Sequence, residues 1–205
     1  MSGIAAVWRL DGAPLDRTTL DRVTERLAPR AADAVGTWLD GPVGLGHRML
    51  HATPESLQQK LPLTGDTGEV VVTADARLDN RADLIPAFGL AHRAADGISD
   101  GELILRAWER WGEECPAHLL GDFTFALWDA RRRVLFCARD PAGVKPLYYH
   151  LGPRLFALAT ETGALLAVPD IPRRLDELRI AAYLVPGLDD RVRSEERRVG
   201  KECRL

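Results

Sequence analysis

The chain has 205 residues, of which 46% are hydrophobic and 28% are charged. This composition is typical of one globular domain with a sizeable core and argues against an intrinsically disordered chain. The net charge of −3 gives no reason to expect nucleic acid or an anionic membrane as a partner, and no apolar run reaches transmembrane length.

The cysteines and the amino terminus bear on the cellular compartment. Cys115, Cys137 and Cys203 are odd in number and lack the spacing of a metal site. The amino terminus has neither the basic region nor the long apolar region of a signal peptide. We therefore expect a reduced, cytoplasmic protein that has no metal site.

The amino-terminal half of the chain predicts short strands and helices. One helix is predicted because Leu20, Val23 and Leu27 recur at helical spacing while charges fill the other face. The predicted strands are 2–10, 35–39, 43–50 and 70–73. The predicted helices are 16–27 and 80–88, the second capped by Asn80, and 51–68 is a predicted surface loop.

A stronger helix is predicted from Ser99 to Trp111. Ser99 and Glu102 have the spacing of a capping box, and Gly112 is suited to end the helix. Its apolar face contains Leu103, Ile104, Ala107, Trp108 and Trp111. We expect this face to cover a sheet.

Four strands are predicted between residues 123 and 159, namely 123–128, 134–138, 147–150 and 154–159. The first has no charge and should be buried on both faces. A polar reversal that contains Arg131-Arg132-Arg133 follows it, and Asp140-Pro141-Ala142-Gly143 forms a second turn. Because the connections are short, we expect one antiparallel meander that forms the core of the fold.

The end of the chain differs from the rest. Residues 160–167 and 176–184 predict two more helices, but 193–203 has no apolar periodicity. That segment also resembles the conceptual translation of a sequencing-library adapter. We expect a domain over 1–190 and a disordered, artefactual tail over 191–205.

Three submotifs between residues 120 and 150 carry a family resemblance. They are Gly-Asp-Phe-x-Phe-Ala-Leu-Trp-Asp from Gly121, Leu-Phe-x-Ala-Arg-Asp from Leu135 and Gly-Val-Lys-Pro-Leu-Tyr-Tyr from Gly143. In this order they resemble the amino-terminal domain of asparagine synthetase-type enzymes, which are class II glutamine amidotransferases of the N-terminal-nucleophile (Ntn) type. The resemblance implies an α+β four-layer sandwich, in which two antiparallel sheets pack face to face and helices flank them.

The resemblance also implies a nucleophile position. Family members hydrolyse glutamine with an N-terminal cysteine that is exposed by removal of the initiator Met, and the cysteine's own α-amino group acts as the base. The matching residue here is Ser2. A hydroxyl is a much weaker nucleophile than a thiolate near neutral pH, although serine has this role in other Ntn hydrolases.

Other positions of the implied pocket are also changed. The family's arginine for the glutamine α-carboxylate is replaced by Met49, which cannot make paired, charge-assisted bonds. Arg48 is one residue away and therefore on the opposite face of a strand. The family's Asn-Gly-Glu segment, which supplies the oxyanion donors, reads Asp75-Ala76-Arg77, and a carboxylate at Asp75 has the wrong sign there.

One position of the implied pocket is retained. Asp100 stands where the family's aspartate contacts the substrate amine, although it also suits the first turn of a helix. A further family motif, Arg-Gly-Pro-Asp, is reduced to residues 30–33, Arg-Ala-Ala-Asp. The changed positions outnumber the retained one, so we expect a preserved scaffold without glutamine hydrolysis.

The resemblance further implies a second domain, which uses ATP and Mg²⁺ to activate a carboxylate. Its Ser-Gly-Gly-x-Asp-Ser phosphate loop is not found in this sequence. We therefore expect a truncated ligase that needs no cofactor in this part and is inactive by itself. Its substrate would be a small amino acid or, as in the lasso-peptide macrocyclases, a precursor peptide whose own amine replaces ammonia.

Two alternatives stay open at this stage. The chain could be an active Ntn hydrolase or amidotransferase with Ser2 as its nucleophile. It could also be a non-catalytic module that docks a peptide or another partner.

Overall fold

The computed structural model describes residues 1–173, 177–184 and 202–204. The strands are β1 (Gly3–Arg9), β2 (Ala34–Asp40), β3 (Val43–Met49), β4 (Leu63–Thr64), β5 (Val70–Leu78), β6 (Gly121–Asp129), β7 (Val134–Arg139), β8 (Tyr148–Leu151), β9 (Leu155–Ala159) and β10 (Glu202–Arg204). The α-helices are α1 (Arg17–Glu25), α2 (Arg81–Ala87), α3 (Asp100–Trp111), α4 (Thr162–Leu165) and α5 (Glu177–Leu184). Three 3₁₀ helices cover Pro54–Gln58, Ala91–Asp96 and Gly112–His118.

The strands form two antiparallel sheets. Sheet A has the order β2-β3-β1-β9-β8, and sheet B has the order β10-β7-β6-β5-β4. An apolar layer between them contains Ala6, Val43 and Leu45 from sheet A together with Val71 and Ala126 from sheet B. The two sheets therefore pack face to face.

Helices cover the outer face of each sheet. On sheet A, Leu20 and Val23 of α1 share a buried cluster with Val7 of β1. On sheet B, Ile104 of α3 shares a second cluster with Phe125 of β6. The expected α+β four-layer sandwich is confirmed, and the lack of charge in 123–128 is explained by burial on both faces.

The predicted single meander is wrong. β6 and β7 form a hairpin in sheet B, whereas β8 and β9 form a hairpin in sheet A. The connection over 140–147 therefore crosses from one sheet to the other. Loop length and turn residues favour adjacent strands, but they do not reveal that a loop changes sheet.

Several local predictions also need correction. β5 extends to Leu78, well beyond the predicted 70–73, and the expected loop over 51–68 contains β4 and a 3₁₀ helix. The Asn80 side chain does not cap α2; instead it bonds to the backbone of His118 and Leu120. At α3 the Ser99 hydroxyl accepts the Glu102 N–H, but the Glu102 carboxylate pairs with Arg93 and does not complete a capping box.

The end of the chain differs from the expected unpacked tail. Residues 185–201, which include most of that tail, lie outside the described residues. Residues Glu202–Arg204 form β10, with Cys203 opposite Cys137 of β7. The outer edge of β7 offers backbone donors and acceptors with which an extended segment can pair.

The structure also bears on membrane insertion. Among the helices it describes, none combines the length and apolar character needed to cross a bilayer.

Trp108 provides a test of the packing between α3 and sheet B. Its side chain is 5% exposed, and its ring lies 5.0 Å from the ring of Phe136. Trp108→Ala should lower the free energy of unfolding by about 3–5 kcal/mol, because it removes a buried aromatic side chain and leaves a cavity. Trp111→Ala, at a partly buried position of the same helix, should cost less. Urea denaturation followed by circular dichroism measures both, and equal losses would contradict this packing.

Candidate functional site

The layer between the sheets changes from apolar to polar along its strands. At one end Trp8 of sheet A packs edge-on against Trp128 of sheet B, with 5.2 Å between ring centroids. At the other end the buried side chains are Ser2, His47, Thr73, Asp75, Thr124 and Lys145. Buried polar groups need partners and are costly without them. This polar end is therefore the candidate site.

Ser2 lies immediately before β1 and is buried. Its hydroxyl accepts the Leu50 N–H at 3.1 Å and donates to the Met49 sulfur at 3.7 Å. Its carbonyl accepts a hydrogen bond from Arg30 Nε at 3.0 Å. Within residues 1–173, no basic side chain bonds to the Ser2 hydroxyl, so its proton has no acceptor stronger than a thioether.

Met49 and Arg48 lie on opposite faces of β3. Met49 is buried beside Ser2. Arg48 instead donates from Nε to the Thr24 carbonyl of α1 at 3.3 Å, on the outer face of sheet A. The arginine next to the changed position therefore does not point toward Ser2.

Asp75 is part of a buried ion network. Its Oδ1 atom lies 3.0 Å from Lys145 Nζ, and its Oδ2 atom lies 3.8 Å from Arg30 Nη2. All three side chains are at most 10% exposed. The sequence placed a lone carboxylate at this position, whereas the structure surrounds it with two cations.

The two cations of this network are held by separate parts of the fold. Lys145 follows a turn in which the Asp140 carboxylate accepts the backbone N–H groups of Val144 and Lys145 at 2.9 and 3.0 Å. Arg30 follows α1 and pairs with Glu161 at 2.7 Å. Because Asp75 belongs to sheet B, the network joins both sheets at the polar end.

Ala76 and Arg77, the other two positions of the changed segment, do not join this network. Ala76 faces the cluster under α3, since side chains alternate along β5. The Arg77 side chain is 61% exposed and pairs with Asp79 and Asp122 at 3.4 and 3.8 Å.

Asp100 already has partners. Its carboxylate pairs with Arg81 and accepts the Leu78 N–H at 3.3 Å. Burial raises the pKa of Asp100, and the Arg81 charge opposes that shift. A substrate amine would have to displace Arg81 to reach this carboxylate.

His47 of β3 also belongs to this polar end. It is buried, and its Nδ1 atom lies 3.1 Å from the Thr73 hydroxyl. The Thr73 hydroxyl donates to the Gly46 carbonyl at 3.3 Å, so it accepts the hydrogen bond of the His47 Nδ1–H group. Burial lowers the pKa of His47 to about 3, so the ring is neutral near pH 7.

Within the described part of the chain, no group of three or more His, Cys, Asp or Glu side chains could hold a metal ion.

A family model for the glutamine amidotransferase domain matches residues 1–201. Asparagine synthetase (glutamine-hydrolyzing) 3 of Bacillus subtilis is 35% identical over 164 residues, which cover 78% of this chain and 26% of that protein. Amidase chry2 of Gibberella zeae is 31% identical over 154 residues, which cover 72% of this chain and 22% of that protein. The chain thus spans about a quarter of the length of these relatives.

Among solved structures, the glutamine phosphoribosylpyrophosphate amidotransferase of B. subtilis matches with a TM-score of 0.64 and 16% identity. The match covers 81% of this chain and 43% of that one. It shows that the chain has the fold of an Ntn amidotransferase.

His47 predicts a specific dependence of stability on pH. Its pKa falls from 6.5 to about 3 on folding, so the unfolded chain binds more protons between these values. Its contribution to stability is complete above pH 6.5 and is lost as the pH falls toward 3, by about 1.4 kcal/mol per pH unit. His47→Gln should make the pH dependence of urea unfolding shallower. His92→Gln, at an exposed position, should not, and equal slopes for all three proteins would contradict the assignment.

The ion network predicts that replacing Asp75 strongly lowers the stability of the fold. Asp75→Asn should lower the free energy of unfolding by about 3–5 kcal/mol, because Lys145 stays buried without its anion. The double variant with Lys145→Met should recover part of that loss. Arg77→Gln, in an exposed ion pair on the same strand, should change stability by less than about 1 kcal/mol. Equal effects of Asp75→Asn and Arg77→Gln in chemical denaturation would refute a buried network.

Proposed function

The chain belongs to the glutamine amidotransferase domain family, and we propose from this that it is the amino-terminal domain of an asparagine synthetase-family ligase whose glutaminase site no longer works. Such a ligase uses ATP to activate a carboxylate, which an amine then attacks. ATP and Mg²⁺ would act in a separate domain, and no residue of this chain is assigned to them. The relatives named above support the family, and the geometry of the site supports the loss of glutaminase activity.

The Asp75 network is the observation that carries the proposal. Glutamine hydrolysis needs neutral hydrogen-bond donors where negative charge develops on the amide oxygen. At the corresponding strand position this protein has a carboxylate that two buried cations hold in place. A carboxylate engaged with two cations has no proton to donate, so it cannot supply the hydrogen bond that the oxyanion needs.

The remaining site residues support the same conclusion. The Ser2 hydroxyl bonds to a backbone N–H and to the Met49 sulfur, and a hydroxyl is a much weaker nucleophile than the thiolate of the family's cysteine. Met49 offers no charge to a substrate carboxylate, and Asp100 is paired with Arg81. Nucleophile, carboxylate clamp and amine contact are therefore all impaired.

The product of the ligase is proposed to be an amide or an isopeptide. An enzyme that takes its amine from a peptide needs no ammonia, so it would tolerate an inactive glutaminase site. This favours a lasso-peptide-cyclase-like ligase that acts in the cytoplasm on a precursor peptide. An asparagine synthetase that uses free ammonia would also tolerate an inactive glutaminase site.

One observation favours a second candidate function, a serine Ntn hydrolase. Ser2 is buried immediately before β1, and its hydroxyl accepts a hydrogen bond from the Leu50 N–H. A nucleophile could act from this position. Removal of Met1 would free the Ser2 α-amine as a base.

The glutaminase assay separates these two functions. The purified domain, with loss of Met1 confirmed by mass spectrometry, should release no ammonia from glutamine. Ser2→Cys should recover little, since losing one oxyanion donor alone costs about 10²–10³ in rate. The triple variant Ser2→Cys, Met49→Arg, Asp75→Asn should exceed Ser2→Cys, provided that circular dichroism shows it to be folded.

Ser2→Ala serves as the control for contaminating glutaminases. Turnover by the unmodified domain that is abolished in Ser2→Ala would overturn the proposal and make Ser2 the catalytic nucleophile.

A further inference from the structure

We propose that the polar end of the sandwich contains a binding site for a small carboxylate, formed by Arg139 and Thr124. Neither residue is one of the pocket positions discussed above, although Asp75 is their neighbour on β5, and the inference does not depend on the proposed ligase function. It rests on the strand register, on the Thr124 hydroxyl and the Arg139 guanidinium, which have no hydrogen-bond partner among the described residues, and on the packing of Arg139 against Gly143.

Register places the two residues side by side. Thr124 of β6 is directly opposite Asp75 of β5 on one side and Arg139 of β7 on the other. Directly opposite residues share a face of the sheet. Ala126 and Cys137, one alternation further along, belong to the layer between the sheets. Asp75, Thr124 and Arg139 therefore form one row across sheet B that faces sheet A.

All three members of this row have unused hydrogen-bonding capacity, since Asp75 Oδ2 has only its 3.8 Å ion pair with Arg30. The Thr124 hydroxyl is fully buried and has no hydrogen-bond partner. Arg139 is partly exposed, and its guanidinium makes no hydrogen bond or ion pair with any residue that the structure describes. A buried hydroxyl without a partner is costly, so a ligand that satisfies it would gain the energy of that bond.

Arg139 is held in position by the backbone of Gly143. Gly143 has a φ of +68°, and a Cβ atom built there would lie 1.8 Å from Arg139 Nη2. The guanidinium therefore occupies the space that a side chain at 143 would need. This packing orders the arginine before a ligand arrives, which lowers the entropic cost of binding.

Among the described residues of this row and its neighbours, Arg139 is the cation without an ion-pair partner. Asp75 is balanced by Lys145 and Arg30, and Asp122, further along β6, is paired with Arg77. The Asp140 carboxylate is used by two backbone N–H groups.

The same charges select the kind of anion. A guanidinium fork matches the two oxygens of a carboxylate, and the Thr124 hydroxyl supplies one further donor. A phosphate dianion carries two negative charges, whereas Arg139 supplies one positive charge. A singly charged carboxylate thus fits the row best.

Binding can be measured with acetate as the probe, by NMR titration at ionic strength held constant with chloride. Saturable shifts of the Arg139 and Thr124 signals are expected. Arg139→Gln should raise the Kd by about tenfold or more, because a charge-assisted bond is lost. Thr124→Val should raise it less, and Arg131→Gln in the exposed hairpin turn should leave it within about twofold of wild type.

Two further variants cover the case in which Arg139→Gln does not fold. Arg139→Lys keeps the charge but loses the fork, and Gly143→Ala displaces the guanidinium without changing any charge. Both should weaken acetate binding. No saturable binding by the wild type, binding unaffected by these variants, or phosphate bound more tightly than acetate would each overturn the proposal.

Discussion

A buried carboxylate that must be neutralised is the constraint on which the polar end of this protein depends. Asp75 lies in the middle of a strand, between two sheets, where water cannot stabilise its charge. Lys145 and Arg30 supply that stabilisation from two different connecting segments. Removing one member of such a set leaves a buried charge without its partner, which costs more than the set contributes to stability. The strand, the turn after Asp140 and the segment after α1 are therefore coupled.

The apolar clusters limit how far the fold depends on Ser2. In the sandwich the outer clusters and most of the layer between the sheets are apolar, and they stabilise the fold independently of Ser2. At the polar end near Ser2, a substitution affects stability where it breaks the Asp75 ion network and affects chemistry elsewhere. Function resides in sites carried by a fold, and the fold by itself does not guarantee the reaction. Arg139 and Thr124, which form the proposed carboxylate site, lie at the same end of the sandwich.

Much of the secondary structure could be predicted because it depends on local patterns of apolar and charged residues. Helical spacing identified α1 and α3, and the uncharged run over 123–128 identified a strand buried on both faces. Helix caps were predicted less well, because the Asn80 and Glu102 side chains bond to groups distant in sequence and not to the nearest helix end. The length of β5 was underestimated because Asp75 and Arg77 resemble loop residues unless their partners are known.

The sequence by itself determined the family resemblance, the α+β class and the positions at which Ser2 and Met49 depart from the family. Strand periodicity was enough to place Arg48 on the wrong face of β3 for the pocket. Only the tertiary structure decided that the β6–β7 and β8–β9 hairpins belong to different sheets, and that Asp75 meets Lys145 seventy positions along the chain. Such contacts depend on how two sheets close over one another, and local spacing contains no information about a partner that arrives from another sheet.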